Sequence, residues 1–219
     1  STWDTFTHAG NAGGANGDIA CDSYLQLDAD LYMLKSLGTN SYRFSISWPR
    51  IFPTGKDVVN VKGVEYYNRL IDGLLANNIS PMVTLYHFDL PQALQDLGGW
   101  ENDTVLEAFH NYAEYCFVTF GDRVKFWMTF NQPHAIVTAG YGTGEFPPQV
   151  KDDPGSAPYR VAHNLLKVHA KIYHTYDEKY RANQGGVIGI TLNTDWVEPK
   201  DYLEPRDIEA ADRYLQLTL

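Results

Sequence analysis

The sequence predicts an α/β fold built on a parallel sheet. Short apolar runs of strand length alternate with longer amphipathic stretches of helical period. The runs are apolar almost throughout, as strands covered on both faces are. Polar residues gather where these runs end: Ser47, His87 with Asp89, Asn131 with Gln132, and Asn193. Strand ends of this kind carry the active site of a closed barrel and the ligand crevice of an open sheet, so this pattern alone leaves both architectures open.

The elements follow in chain order. NSYRFSIS at Asn40 to Ser47 is rich in aromatic and β-favouring residues and reads as the first strand. PMVTLYH at Pro81 to His87, RVKFWMTFN at Arg123 to Asn131 and VIGITLN at Val187 to Asn193 read as the next three. Helices are expected before and between them. Tyr24 to Leu37 carries Leu27, Leu31 and Leu34 on one stripe, with Gly38 behind it as a stop signal. Val64 to Ala76 carries Tyr67, Leu70, Ile71, Leu74 and Leu75. Thr104 to Phe120 carries Val105, Phe109, Tyr112, Cys116 and Phe120, and Gly121 ends it. Ala157 to Tyr180 carries Val161, Leu165, Val168, Ile172 and Tyr176, and a last helix begins near Asp207.

Composition excludes several classes. The 219 residues carry a formal net charge of -10, and no basic stripe marks a nucleic-acid surface. No apolar run reaches the length of a membrane span. No G-x-G-x-x-G follows a strand and no phosphate-binding G-x-x-x-x-G-K-[ST] is present, so nucleotide binding has no support. His163, His169 and His174 share a helix without a third ligand at metal spacing, so neither a metal nor another cofactor is expected. The two cysteines, Cys21 and Cys116, are expected as buried thiols. The sequons at Asn78 and Asn102 permit N-glycosylation in a secreted or extracellular protein. Asn78 directly precedes a strand, which makes Asn102 the expected carrier.

Seven blocks in order identify a family. WDTFTH lies at Trp3 to His8, GDIACDSY ends at Tyr24, and YRFSISWPRIFPTG runs from Tyr42 to Gly55. VTLYHFDLPQAL runs from Val83 to Leu94, GGWEN from Gly98 to Asn102 and FGDRVKFWMTFN from Phe120 to Asn131. TFNQPHAIVTAGYGTGEFPP begins at Thr129. Together these blocks resemble glycoside hydrolase family 1 over essentially the whole chain, in its animal branch. The resemblance implies a (β/α)8 TIM barrel of which residues 1–219 supply strands two to five with their helices. The first strand would precede Ser1 and strands six to eight would follow Leu219. The partners implied are a β-glucoside or oligosaccharide substrate and the remaining half of the same barrel, which would cover the open sheet edges.

The resemblance also implies a chemistry, that of a retaining β-glucosidase. Such enzymes use two carboxyl groups about 5–5.5 Å apart, one as acid/base and one as nucleophile. The family's nucleophile lies on the seventh strand, outside this chain. Its acid/base falls at position 132, where this sequence has Gln132 in place of glutamate. An amide matches glutamate in size but has no proton to give near neutral pH. The chain as written is therefore expected to be inactive or severely impaired. This reads as a substitution that disables the acid and traps substrate, or as the natural loss seen in a degenerate, non-catalytic domain that binds sugar or a protein. By the same resemblance Asn131 holds the sugar 2-hydroxyl, His87 holds the glycone and Arg43 orients the nucleophile. Arg43 is expected to be buried against an anion. Asn193, ending its strand, is a candidate for the aglycone side. Tyr141 and Phe146, on a long loop after Gln132, are expected near the entrance. Glu145 reads as a solvated loop charge, and Trp48, Trp100 and Trp127 read as packing residues.

Overall fold

The computed structural model describes residues 1–218. The elements are α1 (Thr2–His8), α2 (Leu27–Ser36), β1 (Ser41–Ser45), α3 (Trp48–Ile51), α4 (Val61–Ala76), β2 (Ser80–Tyr86) and α5 (Gln92–Gln95). A 3-10 turn (Gly99–Glu101) leads into α6 (Asp103–Phe120) and β3 (Phe126–Asn131). Then come α7 (Pro133–Tyr141), α8 (Ala157–Lys179), α9 (Arg181–Gln184), β4 (Val187–Thr191) and α10 (Pro205–Thr218).

The four strands pair in parallel in the order β1-β2-β3-β4. Parallel neighbours need a crossover, and α4, α6 and α8 supply it. Each crossover helix buries the stripe its sequence presents. On α6 the residues Val105, Phe109, Tyr112, Cys116 and Phe120 are all buried, and on α8 so are Val161, Leu165, Val168, Ile172 and Tyr176. Full burial of one such side chain contributes about 1.5–3 kcal/mol, so these stripes set the order of the helices on the sheet. On α4 the stripe is narrower than the spacing implies, because Leu75 is exposed while Leu74 is buried.

Caps and turns set the boundaries. Asn102 caps α6 by accepting from the Thr104 backbone N–H at 2.8 Å. Gly38, just past α2, takes a left-handed φ of 67° that a side chain would resist. Four expectations are corrected. Helix α2 begins at Leu27 rather than Tyr24, since the backbone turns at Asp22, whose φ is 50°. The strand expected from Arg123 starts at Phe126, because residues 121–123 form a turn closed by Arg123 N–H to Phe120 O and Val124 N–H to Phe120 O. The stretch after Gln132 is not a long loop throughout, because Pro133, with its fixed φ, opens helix α7. Strand β4 ends at Thr191, which leaves Asn193 in the following segment.

An aromatic cluster lies between the strand ends and α6. Phe109 meets Trp48 at 5.2 Å, Trp100 at 5.3 Å and Phe130 at 4.9 Å between ring centroids. The Tyr112 hydroxyl lies 3.0 Å from both the Ile46 and Leu85 carbonyl oxygens. It therefore ties the residue that follows β1 to β2, beside the ends where polar residues gather. Trp48, Trp100 and Trp127 are core residues, as expected.

Candidate active site

The polar residues at the ends of β1, β2 and β3 form the candidate site. Arg43 on β1 donates from Nε to Thr84 Oγ1 on β2 at 3.0 Å and from Nη2 to Asn131 Oδ1 on β3 at 2.6 Å. One side chain thus links three strands. Asn131 is 5% exposed and Thr84 is 1% exposed, so both acceptors are held in the packed part of the sheet. Arg43 itself is exposed on its outer side among the described residues. It sits on an edge strand, and among the described residues no carboxylate pairs with it; its partners are neutral oxygens.

His87 follows β2 directly and is exposed. Burial of its surroundings, and secondarily the Arg43 charge, hold its pKa below the usual histidine value, so its ring is neutral at neutral pH. The chain kinks just behind it, at Phe88, whose φ is 73°. Asp89 takes the His87 backbone N–H at 3.4 Å and a hydrogen bond from Ser47, so it shapes this turn. Burial raises its pKa, partly offset by those hydrogen bonds.

Gln132 is half-buried at the end of β3. Its backbone has φ 49° and ψ 64°, a left-handed conformation that is uncommon for a residue with a side chain. Its N–H donates to Thr191 O at 2.8 Å, which ties the ends of β3 and β4. Strained backbone at a strand end is frequent where a side chain must be aimed. The kinks at Phe88 and Gln132 both fall where β2 and β3 leave the sheet.

Other expected residues are placed less centrally. Asn193 is exposed, two residues beyond β4, and makes no hydrogen bond among the described residues. Tyr141 is not at an entrance. It is fully buried, donates to Gln95 Oε1 at 3.3 Å and accepts from the Trp100 backbone N–H at 3.2 Å. Phe146 is exposed and packs against Trp3 at 5.4 Å and Phe88 at 6.3 Å, on the rim beside the His87 turn. Glu145 is exposed.

Cys116 is buried, and burial pushes its thiol pKa far up, but Cys21 is exposed, on the turn before α2. Its apolar neighbours do not bury it, because Ile19 and Leu25 are themselves exposed. The two sequons differ in their surroundings. Asn102 is half-buried and uses both ends of its amide, on Thr104 N–H and on Leu97 O at 2.6 Å. Asn78 is exposed in a left-handed turn with φ 58°.

Two threonines of the site carry no mark in the sequence, because a threonine inside an apolar run reads as a strand former and nothing more. Thr84 holds Arg43. Thr129, fully buried, lies 2.8 Å from His169 Nδ1 and 3.3 Å from Gly189 O, which joins β3 to α8 and β4. The one hint is a hydroxyl placed where Val or Ile would serve the strand better.

Comparison with known proteins agrees over the whole chain. The family model described as glycosyl hydrolase family 1 matches residues 1–219. Human lactase/phlorizin hydrolase is 63% identical over 223 residues, covering 100% of this chain and 12% of that protein. Human cytosolic beta-glucosidase is 46% identical over 221 residues, covering 99% of this chain and 47% of that protein. The crystal structure of a rice beta-glucosidase matches with a TM-score of 0.94 at 42% identity, covering 100% of this chain and 48% of that chain. The chain therefore spans about half the length, or less, of these relatives.

Proposed function

The chain belongs to glycosyl hydrolase family 1, and on that premise we propose that it supplies one half of a retaining β-glucosidase acting on β-linked glucosides. A complementary half would bring the remaining strands and the nucleophile. The observation that carries the reading is the Arg43–Asn131 contact at the strand ends. Because Asn131 Oδ1 accepts from Arg43, its Nδ2 is left as the donor for a sugar hydroxyl, and such a bond strengthens in an oxocarbenium-like transition state. Neutral His87 both donates and accepts, as a sugar hydroxyl requires. The N–H groups of Arg43 not spent on Thr84 and Asn131 suit a carboxylate nucleophile, which they would hold ionised. No residue of this chain needs a metal or an organic cofactor for that chemistry.

Gln132 occupies the acid/base position and has no proton to transfer, so this form is severely impaired. The test is hydrolysis of a β-linked disaccharide by the full-length protein with Gln132 and with Gln132→Glu. General acid–base catalysis contributes about 10²–10⁴-fold, and a gain of that order is expected from the glutamate. If both forms fold and neither turns over, the domain binds sugar or a protein without catalysis. Gln132 itself is the observation that favours this second reading.

We also place the protein in a secreted or extracellular setting, on the exposed sequon at Asn78. Family membership alone does not decide this, since one relative is named as cytosolic. An endoglycosidase mobility shift lost in Asn78→Gln tests it.

A further inference from the structure

We propose that Thr84 is a positioning residue for this site. Its hydroxyl sets the plane of the Arg43 guanidinium and, through it, the orientation of the Asn131 amide. The proposal rests on the reading that Arg43 supports the nucleophile.

Arg43 is on β1 and Asn131 on β3, with β2 between them. Neighbouring strands lie about 4.8 Å apart, so the guanidinium must cross the middle strand. A long side chain has many rotamers to choose from. Only two bonds restrict this one among the described residues, Nε to Thr84 and Nη2 to Asn131, and neither partner is charged.

The choice of nitrogens matters. Nε and Nη2 lie on the side edge of the planar fork, and that edge is taken up by Thr84 and Asn131. The end edge, Nη1 with the second Nη2 hydrogen, is left to face a carboxylate. Without the Thr84 acceptor the plane would be free to turn about the single bond to Asn131. A turned fork would present a poorer edge to the nucleophile and would loosen the amide that faces the sugar.

Thr84 is well built for this. Its backbone carbonyl accepts from Ile46 N–H at 3.0 Å, its Cα pairs with Ser45, and it is 1% exposed. A β-branched side chain in a strand has restricted χ1, so its hydroxyl stays where the backbone puts it. Valine would fill the same volume and strand preference without the oxygen.

The experiment uses the full-length protein and an aryl β-glucoside with an activated leaving group. That group departs without acid assistance, so the release burst reports nucleophilic attack even with Gln132 in place. Burst rate is followed against pH for the parent, T84V, T84S and R43M. A misplaced group near the reacting atoms costs up to about 10²-fold, and T84V is expected to lose about 10–10²-fold in burst rate. The acid-side midpoint of its profile is expected to rise by about one pH unit, because a cation held against a carboxylate lowers that carboxylate's pKa. T84S should keep most of the rate and the parent midpoint. T84V retaining both overturns the proposal. A midpoint unmoved in R43M as well overturns the role of Arg43 beneath it, and the absence of any burst in the parent overturns the glycosidase reading itself. Should T84V not fold, T84A set against T84S gives the same comparison.

Discussion

Strands β2 and β3 are buried along most of their length, whereas β1 and β4 have no fully buried run, only half-buried and exposed positions around a single buried residue in β4. The inner pair have a neighbour on each side and the aromatic cluster at their ends. The outer pair have one neighbour each among the described residues. Candidate site residues follow this division. Asn131 is buried at the end of an inner strand, while Arg43 lies on an outer strand and reaches inward for its partners. The contrast puts the well-packed part of the candidate site at the inner strand ends, with Arg43 reaching it from the outer strand β1.

The aromatic cluster holds the inner strand ends. Phe109 touches rings from both inner strand ends, Tyr86 and Phe130. Phe109→Ala is expected to cost about 3–5 kcal/mol by denaturant unfolding of the full-length protein, as large-to-small aromatic changes in a core do. A cost below about 1 kcal/mol would mean the cluster is not what fixes the inner strands. Tyr112→Phe is the next test. It removes the hydroxyl from between two buried carbonyl oxygens and is expected to cost about 1–3 kcal/mol, while leaving the ring packing in place. Asn102→Ala, which removes the α6 cap and the bond to Leu97, is expected to cost about 0.5–2 kcal/mol in the same measurement.

The smallest expected effect is a drift with pH. His110 lies at the α6–α8 contact with Nε2 2.8 Å from Thr175 Oγ1. Burial lowers its pKa and Lys171 adds to that, while Glu114 and Glu107, each 3.8 Å from Nδ1, oppose it. Burial lowers His169 as well. The unfolded chain therefore takes up protons near pH 6.5 that the folded chain refuses until lower pH. Stability is flat above that value and falls as pH drops through the window below it. Thermal midpoints measured from about pH 7 down to about pH 5 should fall, and His110→Gln should flatten the slope. A midpoint that rises on acidification would show that the paired glutamates, not burial, dominate at His110.

Much of the site is legible in the amino-acid sequence. The strand-end positions of His87, Asn131 and Gln132 follow from apolar runs that stop at polar residues. The residues whose surroundings the sequence misplaces share a cause. Tyr141 is apolar enough for a rim or a core, and only the Gln95 and Trp100 contacts, far away in sequence, decide for the core. Asn102 and Asn78 carry equivalent sequons, and the capping bonds separate them.

What the sequence alone determined here is local or periodic. The alternation of strand and helix, the apolar stripes of α6 and α8, and the glutamine at position 132 are properties of neighbouring residues and their spacing. Tertiary structure decided which residues meet across the sheet: Arg43 with Thr84 and Asn131, Thr129 with His169, and Tyr112 with the Ile46 and Leu85 carbonyls. These pairs are separated by 27–88 residues along the chain. No local propensity encodes a partner at that distance; parallel register and close packing do, because together they fix which side chains share one strand end.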